Sequence, residues 1–262
     1  VLDPKSEQEA DQLNRYAKEF FKLRQRKGYT FYEASKIMRE RNYFGAMMVQ
    51  CGDADAMVSG VTRKYTNVLR PALQAVGTQK DVNKIAGMYI LITKRGPVFL
   101  ADTTVNFDPT AEEIADMTSH IAKTIRKFKI TPRIALLSYS NFGSGDGKDA
   151  RKMAEAVRII HDKYPTLTVD GEVQANFAMN NDLMQDKFPF SELANKEVNT
   201  FIFPNLSAGN IAYKMIQEMT GAEAIGPILV GMKKSVHVLQ LGASIREIVN
   251  MVKVAVVDAQ NK

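Results

Sequence analysis

GDADAMVSGVTRKYTNVLRPALQ, Gly52 to Gln74, is the stretch on which the architecture turns. Asp53 to Ser59 reads as a short buried strand, and Thr66 to Val76 as a helix. That helix contains the pair Arg70-Pro71. Proline lacks the N–H that a helix interior needs, so Pro71 implies either a kink or a first-turn position. A strand, a loop and a helix in this order open an alternation that the rest of the chain continues, without an internal sequence repeat.

Upstream, Ser6 followed by Glu9 has the form of a capping box opening a helix to about Lys27, ended by Gly28. Thr30 and Glu33 form a second box, starting a helix to about Arg41 with Ala34, Ile37 and Met38 as its apolar face. Downstream, strands at Ile85 to Thr93 and Val98 to Asp102 flank an Arg95-Gly96-Pro97 turn. A helix from Thr110 to Lys127 leads to a strand at Arg133 to Ser138. A helix from Asp149 to Tyr164 leads to a strand at Thr168 to Asp170. Then come strand Asn199 to Phe203, helix Ser207 to Thr220, strands Ile228 to Val230 and Val236 to Gln240, and a terminal helix from Ala243 to Gln260. Alternation of this kind predicts an α/β architecture with mostly parallel sheet.

A chain of 262 residues can bury a core large enough for two lobes. Hydrophobic content of 45% and charged content of 24% are those of an ordinary globular protein. The single cysteine, Cys51, excludes an internal disulfide framework and fits a reducing, cytoplasmic setting. It lies in an apolar stretch and reads as a core residue before a nucleophile. No apolar run approaches the roughly 20 residues of a membrane span. The net charge of +6 is modest; the basic run KLRQRK, Lys22 to Lys27, reads as a solvated helix face, and no nucleic-acid-binding signature accompanies it. His120, His161 and His237 are isolated, so no metal site is expected. NFGSGDGKD, Asn141 to Asp149, fails as a P-loop: Phe142 takes the first Gly position and Asp149 follows the Lys. It remains either a backbone nest for a phosphate or a plain tight turn.

Gly52 to Gln74 closely resembles G-x-x-D-[GA]-x-V-S-G-x-x-x-x-[ST]-x-x-x-R-P-A-x-Q of the phosphate acetyltransferase (phosphotransacetylase) family. That family moves an acetyl group between coenzyme A and phosphate. FIFPNLSAGNIAYKMIQ, Phe201 to Gln217, and the following GAEAIGPILVG match two further family segments, and nearly the whole chain follows the pattern. The resemblance implies a two-lobed phosphotransacetylase-like (isocitrate/isopropylmalate dehydrogenase-like) fold. Residues 1–82 and 232–262 would form lobe I, and 83–231 lobe II, which makes the dimer contact in relatives. Relatives begin with a further segment, and this chain opens without Met in the middle of their first lobe. Lobe I is therefore expected to lack its N-terminal part.

The resemblance also implies a ligand site. Arg70 matches a substrate-binding arginine, and Arg24 in KLRQRKG matches a second. A guanidinium offers a fork of donors suited to phosphate oxygens, and coenzyme A carries several phosphate charges. Thr62, Arg63 and Tyr65 stand where active relatives carry small polar residues. Lys214, Ile225 and Pro227 match positions bordering the nucleotide end of coenzyme A. A strand entering a helix N-terminus at Asn205 to Ser207 has anion-binding geometry, though both residues depart from the usual Asp and Asn. Asp170-Gly171-Glu172 matches D-G-E-x-Q and takes a structural role.

VHVLQLGASIREIVN, Val236 to Asn250, is where the resemblance breaks. The family pattern there is P-[VI]-N-D-L-S-R-G-x-S-x-x-D-I-V. Gln240 and Leu241 replace the Ser-Arg pair, and Glu247 replaces the later Asp. Removing one positioned electrostatic stabiliser costs about 10²–10³ in rate, and removing a general base about 10²–10⁴. The chemistry is expected to be lost, so no catalytic residue is assigned. Glu247 leaves two possibilities: a surviving base in the acetyl-CoA cleft, or the third residue of a Ser244-Glu247 capping box. This wording resembles the C-terminal domain of bacterial NADP-dependent malic enzymes. The resemblance then implies acetyl-CoA as an allosteric effector, a malic enzyme catalytic domain in cis that holds NADP and a divalent metal, and a homo-dimer or higher oligomer. The alternative is a working phosphate acetyltransferase with an altered site.

Overall fold

The computed structural model, described for residues 1–261, divides into two compact units: Val1–Lys80 with Met232–Lys262, and Asp81–Gly231. In chain order the elements are α1 (Ala10–Arg24), α2 (Phe31–Ile37), α3 (Arg41–Cys51), β1 (Ala56–Val61) and α4 (Tyr65–Ala75). Then come β2 (Ala86–Thr93), β3 (Gly96–Ala101), α5 (Ala111–Lys127), β4 (Arg133–Leu137), α6 (Lys148–Lys163) and β5 (Thr168–Val173). The chain continues through α7 (Ala175–Ala178), α8 (Asn181–Lys187), β6 (Thr200–Ile202), α9 (Leu206–Thr220) and β7 (Glu223–Val230). It ends with β8 (Ser235–Leu241) and α10 (Ile245–Gln260). The fold is α/β with mostly parallel sheet.

In the first unit β1 and β8 pair in parallel, with Val58 opposite His237. Gly60 lies at φ 134, and a Cβ there would stand 2.2 Å from the Leu239 carbonyl oxygen. Only glycine lets the strands approach this closely. The core beneath is aromatic. Tyr16 and Phe20 are fully buried, Tyr16 edge-on to Phe44 at 5.1 Å, and Phe20 edge-on to Tyr29 and Tyr43 at 5.4 and 5.6 Å. Burying one such ring stabilises by about 1.5–3 kcal/mol.

The second unit carries six strands in the order β5-β4-β6-β3-β2-β7. β5, β4, β6 and β3 run parallel, and β2 alone is antiparallel to both its neighbours. Its core holds Tyr89, Leu100, Phe201 and Tyr213, with the two tyrosine rings stacked at 4.2 Å. Buried Asp102 closes the turn after β3 by accepting from the N–H groups of Gly87, Thr104, Val105 and Asn106. No helix among the described residues is long and apolar enough to cross a membrane.

Several expected elements differ. The Ser6 side chain caps nothing: the first turn is a 3-10 turn at Glu7–Glu9, and α1 begins at Ala10. α2 stops at Ile37, because Glu40 turns extended (φ −83, ψ 124) and starts α3, a helix with no counterpart in the sequence reading. Tyr43, Phe44, Ala46, Met47 and Val49 of α3 are all buried, so its apolar residues form no single stripe to read. Gly52 closes α3 at φ 84, which delays the strand from Asp53 to Ala56. Pro71 is neither first-turn nor terminal but sits inside α4.

Candidate functional site

Arg24 and Arg70 both belong to the first unit. Arg24 ends α1, its guanidinium carbon 5.9 Å from the Tyr29 ring centroid. Its Nε is buried and has no hydrogen-bond partner. Arg70 lies on α4, exposed, one turn before Gln74. The Gln74 side-chain oxygen accepts from Tyr29 Oη at 3.2 Å and also from Tyr43 Oη. Tyr43 is buried, and burial pushes its hydroxyl up to about 12, against the opposing pull of Arg70 and Arg24. The tyrosine therefore stays a neutral donor, and the two arginines share one electrostatic neighbourhood. No sequence signal pointed to Tyr29, Tyr43 and Gln74 as partners.

Thr62 and Arg63 are exposed in the loop joining β1 to α4. Below that loop, Ser59 Oγ donates to Asn42 Oδ1 at 2.8 Å, and Asn42 Nδ2 donates to the Asn67 carbonyl at 3.2 Å. Where β8 passes into α10, Leu241 is 64% exposed and offers no polar atom from its side chain. Glu247 is half-buried in a complete capping box: its carboxylate accepts from the Ser244 N–H at 2.7 Å, and its own N–H donates to Ser244 Oγ at 3.2 Å. Of its two possible roles, the cap is formed in this structure.

Lys214, Ile225 and Pro227 belong to the second unit. Lys214 Nζ stands 5.1 Å from the Tyr213 ring centroid, a cation on the tyrosine stacked against Tyr89. Ile225 is half-buried on β7 opposite Ile90, and Pro227, two residues on, is buried. Lys214 and Ile225 thus offer accessible surface, whereas Pro227 is enclosed.

At the two segments that the sequence left open to an anion, the protein's own groups take up donors. Gly143 N–H of the Asn141–Asp149 loop and Ser140 Oγ just before it donate to buried Glu172 Oε1 at 2.7 and 2.8 Å. At the α9 N-terminus, Asn205 Oδ1 accepts from the Ala208 N–H and Asn205 Nδ2 donates to Asp149 Oδ2, each at 3.0 Å. Asn205 thus caps α9. Asp170 is equally structural, accepting from Ser191 Oγ at 2.7 Å and the Glu192 N–H at 2.9 Å.

Cys51 is half-buried at the end of α3 and not a core residue, and burial pushes its thiol up, away from the nucleophilic thiolate. His120 and His161 face the backbone oxygens of Asp81 and Val169, and His237 is buried beside Ser235. No group of three or more His, Cys, Asp or Glu able to hold a metal occurs among the described residues.

Residues 1–256 match the family profile described as phosphate acetyl/butaryl transferase. The phosphate acetyltransferase of Nitratidesulfovibrio vulgaris is 37% identical over 248 residues, 95% of this chain and 35% of that protein. The NADP-dependent malic enzyme of Haemophilus influenzae is 39% identical over 246 residues, 94% of this chain and 32% of that protein. The chain thus spans about a third of the length of these two relatives. A phosphotransacetylase structure from Streptococcus pyogenes aligns with a TM-score of 0.90 at 36% identity, over 95% of this chain and 76% of that one.

Proposed function

The chain belongs to the phosphate acetyl/butaryl transferase family, and from that premise we propose that it is a regulatory domain that binds acetyl-CoA without transferring its acetyl group. The observation that carries this reading is a contrast within the first unit. Arg24 and Arg70 keep a shared, tyrosine-lined setting for phosphate groups, while Leu241 cannot donate a hydrogen bond and Glu247 is held in a helix cap. Acyl transfer from a thioester to phosphate needs a group to manage the thiol proton and a cation to hold the phosphate as charge redistributes. Gln240 and Leu241 supply neither.

The similarity to a named malic enzyme supports a larger assignment. In it, the domain is fused to a malic enzyme portion that holds NADP and a divalent metal, acetyl-CoA acts as its effector, and the domain helps build a homo-oligomer. Thr62 and Arg63, exposed in the same unit, complete the proposed acetyl-CoA contacts there. A coupling of about 1–3 kcal/mol is the usual size of such a link. Calorimetric titration of acetyl-CoA into this chain, with Arg70→Ala as control, tests the binding step. Saturable binding lost in the variant is the expected result. Acetyl-CoA leaving malate oxidation unchanged in the full-length protein would remove the regulatory role.

The similarity to a named phosphate acetyltransferase favours a second reading, an active acyltransferase in which Glu247 leaves its cap to act as base and Arg63 holds the phosphate. Acetyl-CoA formation from acetyl phosphate, abolished by Glu247→Ala, would establish it.

A further inference from the structure

Gln74 is the point at which the surroundings of the two arginines meet. An amide oxygen has two lone pairs, and here each takes one tyrosine hydroxyl, Tyr29 from the segment after α1 and Tyr43 from α3. Tyr29 also carries the Arg24 guanidinium over its ring, and Arg70 lies one turn before Gln74 on the same helix face. Contacts therefore run from Arg24 through Tyr29 to Gln74 and on to Tyr43, which lies within the field of Arg70, all in the first unit. Phe20, fully buried and edge-on to both tyrosines, leaves their rings little freedom to turn away from the amide.

Two long cationic side chains on separate elements would otherwise sample many separations, and each would lose rotamer freedom on meeting a ligand. We propose that Gln74 is a positioning residue that fixes the separation of Arg24 and Arg70, so that the pair selects a ligand carrying a ribose phosphate apart from its diphosphate over one carrying the diphosphate alone. The inference rests on the reading of Arg24 and Arg70 as the phosphate-binding pair. Gln74 itself touches no ligand in it.

The experiment is calorimetric titration of the full chain with acetyl-CoA and with its form lacking the ribose phosphate. Three substituted chains accompany the unsubstituted one: Gln74→Met, which keeps the side-chain length and removes the acceptor; Tyr29→Phe with Tyr43→Phe; and all three together. Circular dichroism checks that each is folded, and Tyr43→Phe alone replaces any that is not. Gln74→Met is expected to weaken acetyl-CoA about tenfold and the dephosphorylated form less than about twofold, so the preference between them collapses. The tyrosine pair should repeat the effect, and the triple variant should add nothing to it. Equal weakening of both ligands would mark Gln74 as merely structural, and no weakening of either would overturn the inference outright. Loss of binding in Arg70→Ala with none in Gln74→Met sinks the positioning role alone. Absence of acetyl-CoA binding in the unsubstituted chain sinks the arginine-pair reading, and this inference with it.

Discussion

Asn42 donates from Nδ2 to the Asn67 carbonyl at 3.2 Å, the carbonyl to which Pro71, four residues on in α4, has no N–H to give. A side chain from α3 thus supplies the hydrogen bond that the helix lacks, and Ser59 of β1 holds that side chain from its other end. Proline is thereby accommodated mid-helix beside Arg70.

Asn42→Ala should destabilise the chain by about 1 kcal/mol, the usual net value of such a bond at a partly solvated site. In a Pro71→Ala background the restored N–H can reach Asn67, so the same substitution should cost less. Urea denaturation of the four chains gives the coupling, expected at about 0.5–1 kcal/mol. Equal costs in both backgrounds would mean that Asn42 stabilises by another route.

Tyr43 should resist alkaline ionisation. Its hydroxyl is pushed up to about 12 by burial, above an unfolded value of about 10. The folded state therefore holds its proton more tightly than the unfolded one. That contribution is fully present below pH about 10 and is lost as pH rises toward 12. Phenolate absorbance should show a late step that Tyr43→Phe removes. A titration unchanged by the substitution would contradict the burial argument.

Asp108 sets an acid limb of opposite sign. Hydrogen bonds from Lys148 and Lys152, at 2.7 and 2.6 Å, hold its carboxyl down at about 2. The folded value lies below the unfolded value of about 3.9, so the stabilisation is present above that value and is lost as pH falls toward 2. The carboxylate is exposed, so salt should weaken the effect. Asp108→Asn should flatten thermal midpoints measured across this acid range, and a slope that survives the substitution would have to come from other carboxylates.

Replacing Glu247 in two ways separates its roles. Glu247→Ala breaks the capping box with Ser244 and should cost about 1 kcal/mol in urea denaturation. Glu247→Gln keeps a capping side chain but has no basic carboxylate, so it should be nearly neutral in stability. Under the regulatory reading neither change alters acetyl-CoA binding by more than its effect on folding. A trace acetyltransferase activity that Glu247→Gln abolishes would assign the base to it.

Much of the scaffold is legible in the sequence where a local rule has no competitor. Thr30 with Glu33 and Ser244 with Glu247 form the boxes that their spacing predicts, and α5 ends at Lys127 as expected. Ser6 with Glu9 shows the same spacing and fails, because the Glu9 N–H goes to the Ser6 carbonyl at 3.3 Å in a 3-10 turn. α3 has no readable stripe, and α7 and α8, of 4 and 7 residues, are too short to show a period. At the site, ordered motifs carried Arg24 and Arg70, each fixed by its neighbours in sequence. Gln74 with Tyr29 and Tyr43 joins residues 45 and 31 positions apart, and no spacing rule reaches that far.

Asn205 offers the sharpest test of such a long-range dependence. The family pattern carries Asp at this position, yet here Nδ2 donates to Asp149 Oδ2 at 3.0 Å while Oδ1 caps α9. Asn205→Asp would keep the cap and set two carboxylates against each other. Lys152, 3.0 Å from Asp149 Oδ1, and partial solvent exposure moderate the repulsion, so the cost at neutral pH should be about 1–2 kcal/mol. One of the two carboxyls must then titrate above its unfolded value. The penalty should vanish below about pH 4, where that proton is retained in both states. Adding Asp149→Asn returns one donor and one acceptor to the pair and should recover most of the loss in urea denaturation. If Asn205→Asp proved neutral at pH 7, the Asn205–Asp149 contact could not be what fits asparagine to this site.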